Sequence, residues 1–318
     1  MQKRKRQVGW RFLLGWVFVL GLAACTGQSA SDSTPQTHCR TISHALGETC
    51  VPPNPERVIV LDTSPLDVMF ELGLQPIATP DLGDILSYSE EQLAGIESLG
   101  SNEQPNLEGM LQLKPDLILA TPFDAPKIYD ELSQIAPTVV APSGNVDWKE
   151  DLRIYAAALG KTDEAEALLT AYEGRVQEFQ QRMGDRLSKT EVAIVSFANY
   201  GPGLPVRVYL SESFMGQVVE ETGLSRPPGQ RDRTFSKELS IERLDIADGD
   251  VIFFMEFDPQ EGLLEKVQQH PLWSQLEAVE QERIYPVNYG SWVAERNIGG
   301  ANRILDDLFQ YLVKEAQM

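Results

Sequence analysis

The chain of 318 residues has 27 basic and 47 acidic side chains, a net charge of −20, and a hydrophobic fraction of 42%. Residues 1–24 hold five of the basic side chains and no acid, so the rest of the chain carries a net charge of about −25. A surface this acidic repels nucleic acid and anionic lipid headgroups, which excludes both as partners of the globular part. The hydrophobic fraction is that of a folded globular protein and excludes a disordered one.

The first 24 residues have the pattern of a secretory signal. The basic start MQKRKR is followed by FLLGWVFVLGLAA, an apolar run too short to span a bilayer, which takes about 20 residues. The segment ends in Leu22-Ala23-Ala24-Cys25, which resembles the bacterial lipobox, where the cysteine is lipidated after cleavage. We predict a lipoprotein signal peptide over 1–24 and a lipid anchor at Cys25. The alternative is an ordinary signal peptide followed by a chance cysteine.

Residues 25–54 are predicted to form a tether and a disulfide loop. The stretch GQSASDSTPQTH is polar and cannot bury enough apolar surface to fold by itself. Exported proteins keep disulfides, and with Cys25 lipidated the two other cysteines, Cys39 and Cys50, are left as one pair. A redox or zinc site is the alternative, but the ten residues between them and the lack of further cysteines argue against it.

Strand and helix patterns alternate over residues 55–160. Apolar, β-branched runs typical of buried parallel strands lie between segments with helical spacing, which predicts an α/β layer with a parallel sheet. The predicted strands are PERVIVLD (55–62), PIATP, the strand that ends the segment 106–122, and TVVAP (138–142); the predicted helices are 66–74, the start of 106–122, and 125–135.

Residues 161–188 are predicted to form one long helix. Apolar residues recur along one helical face for more than 20 residues, a length of about 30 Å. These residues are Ala165, Leu168, Leu169, Tyr172, Val176, Phe179 and Met183. The strand and helix alternation then resumes over 189–318, so we predict two similar α/β lobes joined by this helix. A single large sheet is the alternative.

No set of residues in the sequence predicts catalysis. There is no Gly-x-Ser-x-Gly elbow and no His-Glu-x-x-His helix. The three histidines, His38, His44 and His270, are too few for a site that binds a bare transition metal. We therefore expect no enzyme activity, no cofactor and no direct metal ligands.

Several blocks of the sequence resemble one known family. PERVIVLD, LDVMFELGLQPIA and LGSNEQPNLEGMLQLKPDLILA are similar to the N-terminal lobe of the periplasmic iron-siderophore and cobalamin binding proteins of ABC importers, the class III solute-binding proteins. SFMGQVVEETGLSRP, LSIERLDIADGDVIFF, HPLWSQLEAVEQERIYPV and GGANRILDDL resemble the second lobe, so the resemblance covers roughly residues 55–315. It implies two Rossmann-like α/β lobes, a single rigid connecting helix and a shallow ligand cleft between the lobes.

The resemblance implies ligand contacts in the loops at the ends of strands. The candidates in the C-terminal lobe are Arg207, Tyr209, Arg231, Arg233, Tyr289, Trp292 and Arg296, and those in the N-terminal lobe are Ser64, Tyr88 and Phe123. Arginine forks suit anionic oxygens and rings cover apolar ligand faces, so a local cluster of arginines is expected to grip an anionic ferric complex. The alternatives are that Tyr209 belongs to the core and that Arg231 and Arg233 are solvated surface residues.

Two acids match the positions at which the family docks on its permease. These are Glu108 in PNLE and Glu242 in SIE, one in each lobe, although both are also favoured as first-turn helix acids. The resemblance thus predicts a monomeric, lipid-anchored binding protein on the periplasmic side of the cytoplasmic membrane. It would carry a ferric siderophore to an ABC permease dimer. The alternatives are cobalamin or haem as the ligand, or a lipoprotein enzyme or adhesion module on the same fold.

Overall fold

The computed structural model describes residues 39–82, 88–123, 125–142, 147–258 and 262–314. It begins with an antiparallel hairpin of strands β1 (Arg40–His44) and β2 (Gly47–Val51). A disulfide joins Cys39 to Cys50, with the two Cα atoms 5.5 Å apart, as the sequence predicts. The hairpin packs on the lobe that follows it, where the backbone nitrogen of Ala45 donates to the Val140 carbonyl at 3.0 Å.

Five parallel strands form the sheet of the N-terminal lobe. In chain order they are β3 (Val58–Val60), β4 (Ala78–Asp81), β5 (Glu97–Ser101), β6 (Leu117–Ala120) and β7 (Thr138–Val140). The helices of this lobe are α1 (Thr63–Glu71), α2 (Glu90–Leu93), α3 (Leu107–Leu113), α4 (Ala125–Ile135) and α5 (Trp148–Leu159). In space the strands are ordered β5-β4-β3-β6-β7.

The C-terminal lobe has a second five-stranded sheet, in the order β10-β9-β8-β11-β12. Its strands are β8 (Val192–Phe197), β9 (Val206–Tyr209), β10 (Ser236–Leu239), β11 (Val251–Glu256) and β12 (Ile284–Pro286). Its helices are α7 (Phe214–Glu221), α8 (Leu263–Gln268), α9 (Glu277–Glu280) and α10 (Ile298–Leu308). Short 3₁₀ segments cover Gly184–Lys189, Pro228–Gln230, Ile241–Ala247 and Trp273–Gln275, and π-turns cover Gly290–Ala294 and Phe309–Lys314.

The two sheets have the same strand order relative to the chain. In each, the first strand is central, the second and third extend to one edge, and the fourth and fifth extend to the other. The one difference in direction is β9, which runs antiparallel to both of its neighbours. This agreement supports the predicted repetition of one lobe.

The helix between the sheets, α6, spans Thr162–Met183. Its buried residues are Ala165, Leu169, Tyr172, Val176, Phe179 and Met183, the predicted apolar face except for Leu168, which is half-buried. This face belongs to a single apolar core that also takes residues from both sheets. The two lobes therefore share one core across α6.

Each sheet turns one face to the shared core and the other to a core of its own. Val58 and Val60 on β3 lie in the shared core, while Ile59 between them lies in a separate core of the N-terminal lobe. Val192 and Ile194 on β8 also lie in the shared core, while Ala193 between them lies in a separate core of the C-terminal lobe. This alternation is the two-residue period of a strand.

None of the helices among the described residues has the length and apolarity needed to cross a bilayer. The predicted signal peptide and the predicted lipid anchor Cys25 lie outside the described residues.

Candidate ligand-binding cleft

A cavity of about 380 Å³ lies between the two lobes. Residues that end β4 or follow β3, β4 and β5 line it on one side. Residues of β9, the residue before β10 and the loop after β12 line it on the other. They are Asp62, Thr63, Asp81, Leu82, Asn102, Arg207, Tyr209, Phe235, Tyr289, Val293, Ala294 and Arg296. The cavity is thus at the carboxyl ends of the parallel strands, where open α/β sheets bind ligands.

Arg296 and Asp62, which both line this cavity, form an ion pair. Asp62 follows β3 and caps α1, and its side chain also accepts a hydrogen bond from the Thr121 hydroxyl at 2.9 Å. Burial opposes ionisation of Asp62, but the charge and hydrogen bond of Arg296 hold its pKa below the ordinary value. The predicted ligand residue Arg296 therefore lines the cavity with a carboxylate partner already in place.

Arg207 and Tyr209 also line the cavity, although not for the reason expected from the sequence. Because β9 is antiparallel, its first residues, and not its carboxyl end, lie beside the carboxyl end of β8, with Arg207 opposite Ser196. Arg207 donates from Nε to Glu238 Oε1 at 3.0 Å, and its guanidinium lies 3.9 Å from the ring centroid of Tyr200. Tyr209 is buried at the cavity wall, so it is both a core residue and a lining residue.

Aromatic rings supply much of the remaining surface of the cleft. Tyr289 and Phe235 line the cavity, and the Tyr289 ring lies 5.2 Å from that of Phe257. Burial, together with nearby tyrosines, raises the pKa of Tyr289. Phe123 lies beside the cavity, half exposed, with the guanidinium of Arg296 5.2 Å from its ring centroid.

Three of the predicted contacts are not among the described residues that line the cavity. Trp292 is fully buried, and its indole nitrogen donates to Asp307 Oδ2 at 2.7 Å. Ser64 is also fully buried and accepts a hydrogen bond from Asn297 at 3.2 Å. Tyr88 donates to Asp67 Oδ1 at 2.6 Å and is not among the described residues that line the cavity.

Arg231 and Arg233 line a different cavity, of about 490 Å³, that lies within the C-terminal lobe. Arg231 donates to the Arg226 carbonyl at 2.7 Å and pairs with Glu191 at 2.8 Å. Glu191 precedes β8, so this pair holds Arg231 near the amino end of that strand, whereas the cleft lies near its carboxyl end. The structure therefore does not bring Arg231 and Arg233 together with the other predicted ligand residues at the cleft.

Several lining residues were not predicted. Asp62 ends a predicted strand and Asp81 directly follows one, which was a usable signal, whereas Asn102 follows β5, a strand that the sequence analysis did not predict. Phe235 precedes β10, and sequence patterns do not reveal that it packs against Tyr209, 5.9 Å away. In the described part of the chain, no group of three or more His, Cys, Asp or Glu side chains is placed to hold a metal ion.

Next to the cleft, a polar seam joins α1 to α10. Arg303 donates to Asp67 at 2.9 Å and also pairs with Glu295, and both of these carboxylates are fully buried. The backbone nitrogen of Gly299 donates to the other oxygen of Asp67 at 2.7 Å. Burial, opposed by the charge of Arg303, raises the pKa of Asp67 to about 7.

Glycine is required at position 299 because a Cβ there would overlap the carboxylates of Asp67 and Glu71. The close approach of α10 to α1 thus depends on the first residue of the block GGANRILDDL. The seam fixes the segment 294–303, and with it Arg296, against the N-terminal lobe.

Two α/β lobes with a shared core and a cleft between them define a solute-binding protein of the two-lobed, single-helix class. The sequence profile of the family described as "Periplasmic binding protein" matches residues 58–288. The chain belongs to this family, whose members are binding proteins.

Individual relatives agree with this assignment. The Bacillus subtilis protein named "Probable siderophore-binding lipoprotein YfiY" is 31% identical over 312 residues, which cover 92% of this chain and 94% of the relative. The "Fe(3+)-citrate-binding protein YfmC" of the same organism is 26% identical, with 94% of each chain covered. The crystal structure of Staphylococcus aureus SirA complexed with staphyloferrin B superposes with a TM-score of 0.76, at 26% identity, over 86% of this chain and 98% of that one.

Proposed function

We propose that this protein captures a ferric siderophore in the interlobe cleft and delivers it to the permease of an ABC importer. The observation that carries the proposal is the cavity itself, which is open between the lobes and lined by two guanidinium groups beside tyrosine and phenylalanine rings. Guanidinium groups donate to the oxygen atoms that surround chelated iron, and rings cover the organic part of the chelator. YfiY, YfmC and SirA, whose names or titles mention a siderophore or ferric citrate, support this ligand class.

The iron is bound through the chelator and not by the protein. A binding role without catalysis agrees with a family of solute-binding proteins. Lipidation of Cys25 would tether the protein to the periplasmic face of the cytoplasmic membrane, and the name of YfiY as a lipoprotein supports this location. We propose that the protein acts as a monomer.

Glu108 and Glu242 are the proposed contacts with the permease dimer. Both are exposed, and each is the second residue of a short helical segment, Leu107–Leu113 and Ile241–Ala247. Each segment connects the third and fourth strands of its sheet, so the two glutamates occupy corresponding places in the two lobes. This correspondence supports a pair of equivalent contacts with two equivalent permease subunits.

The test is isothermal titration calorimetry of the mature protein with ferric siderophores of several types, ferric citrate, cobalamin and haem. We expect at least one ferric complex to bind with micromolar affinity or better, and the iron-free chelator to bind more weakly. Tight binding of cobalamin or haem, with no heat from any ferric complex, would contradict the proposed ligand. Uptake of the bound complex by cells that express the permease, and its loss when the gene is deleted, tests the transport role.

A further inference from the structure

The charges at the cleft are balanced, although the sequence predicts a local cluster of arginines. Of the described residues that line the cavity, four are charged: Asp62, Asp81, Arg207 and Arg296. Arg296 is paired with Asp62 at the cavity wall, and Arg207 is paired with Glu238 at 2.9 Å. Each of the two guanidinium groups therefore already has a carboxylate partner.

Asp81 adds a carboxylate that has no cationic partner among the described residues. It ends β4, its side chain is exposed at the cavity, and its Oδ1 accepts a hydrogen bond from Ser98. The neighbouring polar residue of the cavity on this side, Asn102, is neutral. The described charged residues that line the cavity, together with Glu238, are thus two arginines and three carboxylates.

Two of these carboxylates are held by the arginines. The pKa of Asp62 is held low by the charge of Arg296 despite its burial. Glu238 Oε1 accepts a hydrogen bond from Nε of Arg207 at 3.0 Å and forms an ion pair with Nη2 of the same guanidinium at 2.9 Å. A strongly anionic ligand would have to enter past these groups or displace them from the arginines, which costs electrostatic energy in a cavity walled by apolar rings.

We propose that the cleft selects ferric chelates that carry little or no net negative charge. This preference rests on the proposed function and narrows its ligand class. Such a chelate accepts hydrogen bonds from the N–H groups of Arg207 and Arg296 through its neutral oxygens while both ion pairs stay formed. Its apolar parts pack on Tyr209, Tyr289 and Phe235, and a donor group on the chelator faces Asp81.

The test compares ferric complexes of different net charge on the same protein. The complexes are cationic ferrioxamine B, neutral ferrichrome, anionic ferric citrate and trianionic ferric enterobactin, each titrated by calorimetry at constant ionic strength. We expect the tightest of the neutral or cationic complexes to bind at least tenfold more tightly than either anionic one.

The variant Asp81→Asn removes one negative charge at the rim without changing the side-chain size. It is expected to improve the affinity for the anionic complexes by about tenfold relative to the neutral one, as a unit charge near the cavity would. Asp130→Asn, an exposed aspartate of α4 away from the cavity, is the matched control and should leave the ratio unchanged. Asp62→Asn should shift the ratio in the same direction as Asp81→Asn.

Tighter binding of ferric citrate or ferric enterobactin than of the neutral and cationic complexes would overturn the charge preference alone. The preference would also be overturned if the ratio of the affinities for the anionic and neutral complexes were unchanged in both Asp81→Asn and Asp62→Asn. If no ferric complex binds, the proposed function fails, and the preference fails with it.

Discussion

At the scale of single residues, Arg296 connects the ligand cavity to the N-terminal lobe through its ion pair with Asp62. Arg296→Ala is expected to weaken ferric-siderophore binding by one to two orders of magnitude, because a charged hydrogen bond contributes about 1.5–3 kcal/mol. The measurement is the dissociation constant by calorimetry. Arg231→Ala removes an arginine from the other cavity and serves as the control. An affinity within about twofold of the wild type in a folded Arg296→Ala protein would contradict this role.

Trp292 is expected to contribute to stability and not to ligand contact. Its ring lies 5.1 Å from that of Phe253 in the shared core, and its indole nitrogen is hydrogen-bonded to Asp307. Trp292→Phe keeps most of the apolar contact but leaves Asp307 without its donor, at a cost of about 1–3 kcal/mol. Thermal unfolding should show a lower Tm, while the ligand dissociation constant stays within about twofold. A large loss of affinity with an unchanged Tm would show that Trp292 contacts the ligand.

At the scale of elements, the seam between α1 and α10 makes stability depend on pH. The pKa of Asp67 is about 7 in the folded protein, above the value of about 4 for an exposed aspartate. Between these two values the folded state keeps a proton that the unfolded state has lost. The stability from this group is therefore complete below about pH 4 and is lost as the pH rises toward about 7.

Asp67→Asn should remove this dependence. Between about pH 5 and 7, the free energy of unfolding of the wild type should fall relative to the variant by up to about 1.4 kcal/mol per pH unit. Thermal unfolding at several pH values measures the difference, and the exposed Asp130→Asn provides the control. Parallel pH curves for the wild type and Asp67→Asn would contradict the assignment.

The spacing of apolar residues along the sequence predicted the helices and strands well where one face of the helix or strand is buried. The spacing of apolar residues identified α6, and runs such as VIV at 58–60 identified the central strands. The direction of β9 was not predictable, because an alternating strand has the same pattern whether it runs parallel or antiparallel to its neighbour. That reversal is what brings Arg207 to the cleft.

The site was predicted less well than the fold, for a local reason. In the loop NYGSWVAERN, the π-turn Gly290–Ala294 directs Tyr289 to the cleft and Trp292 to the core. No sequence period distinguishes these two orientations. The sequence places Asp62 at the end of a predicted strand, but its pairing in the cleft depends on Arg296, which is 234 residues away in the sequence.

At the scale of the whole molecule, transport should depend on Glu108 and Glu242 without affecting ligand binding. Exposed ion pairs contribute under about 1 kcal/mol each, so Glu108→Ala and Glu242→Ala together should impair uptake more than either alone. The ligand dissociation constant should stay within about twofold. Glu90→Ala and Glu265→Ala, exposed first-turn acids of other helices, are the controls and should transport normally. Reduced ligand affinity in the single variants would refute docking as their role.

The place of α10 in the shared core has a consequence for how the chain is made. Ile298, Ile304 and Leu305 pack in the core that α1 and α5 also form, so the N-terminal lobe is completed by residues that follow all the strands of the C-terminal sheet. During synthesis, the apolar faces of α1 and α5 therefore stay partly uncovered until the C-terminal lobe has also been made. A protein truncated before Ile298 would therefore not retain one intact lobe, because it would lose part of the interior of both.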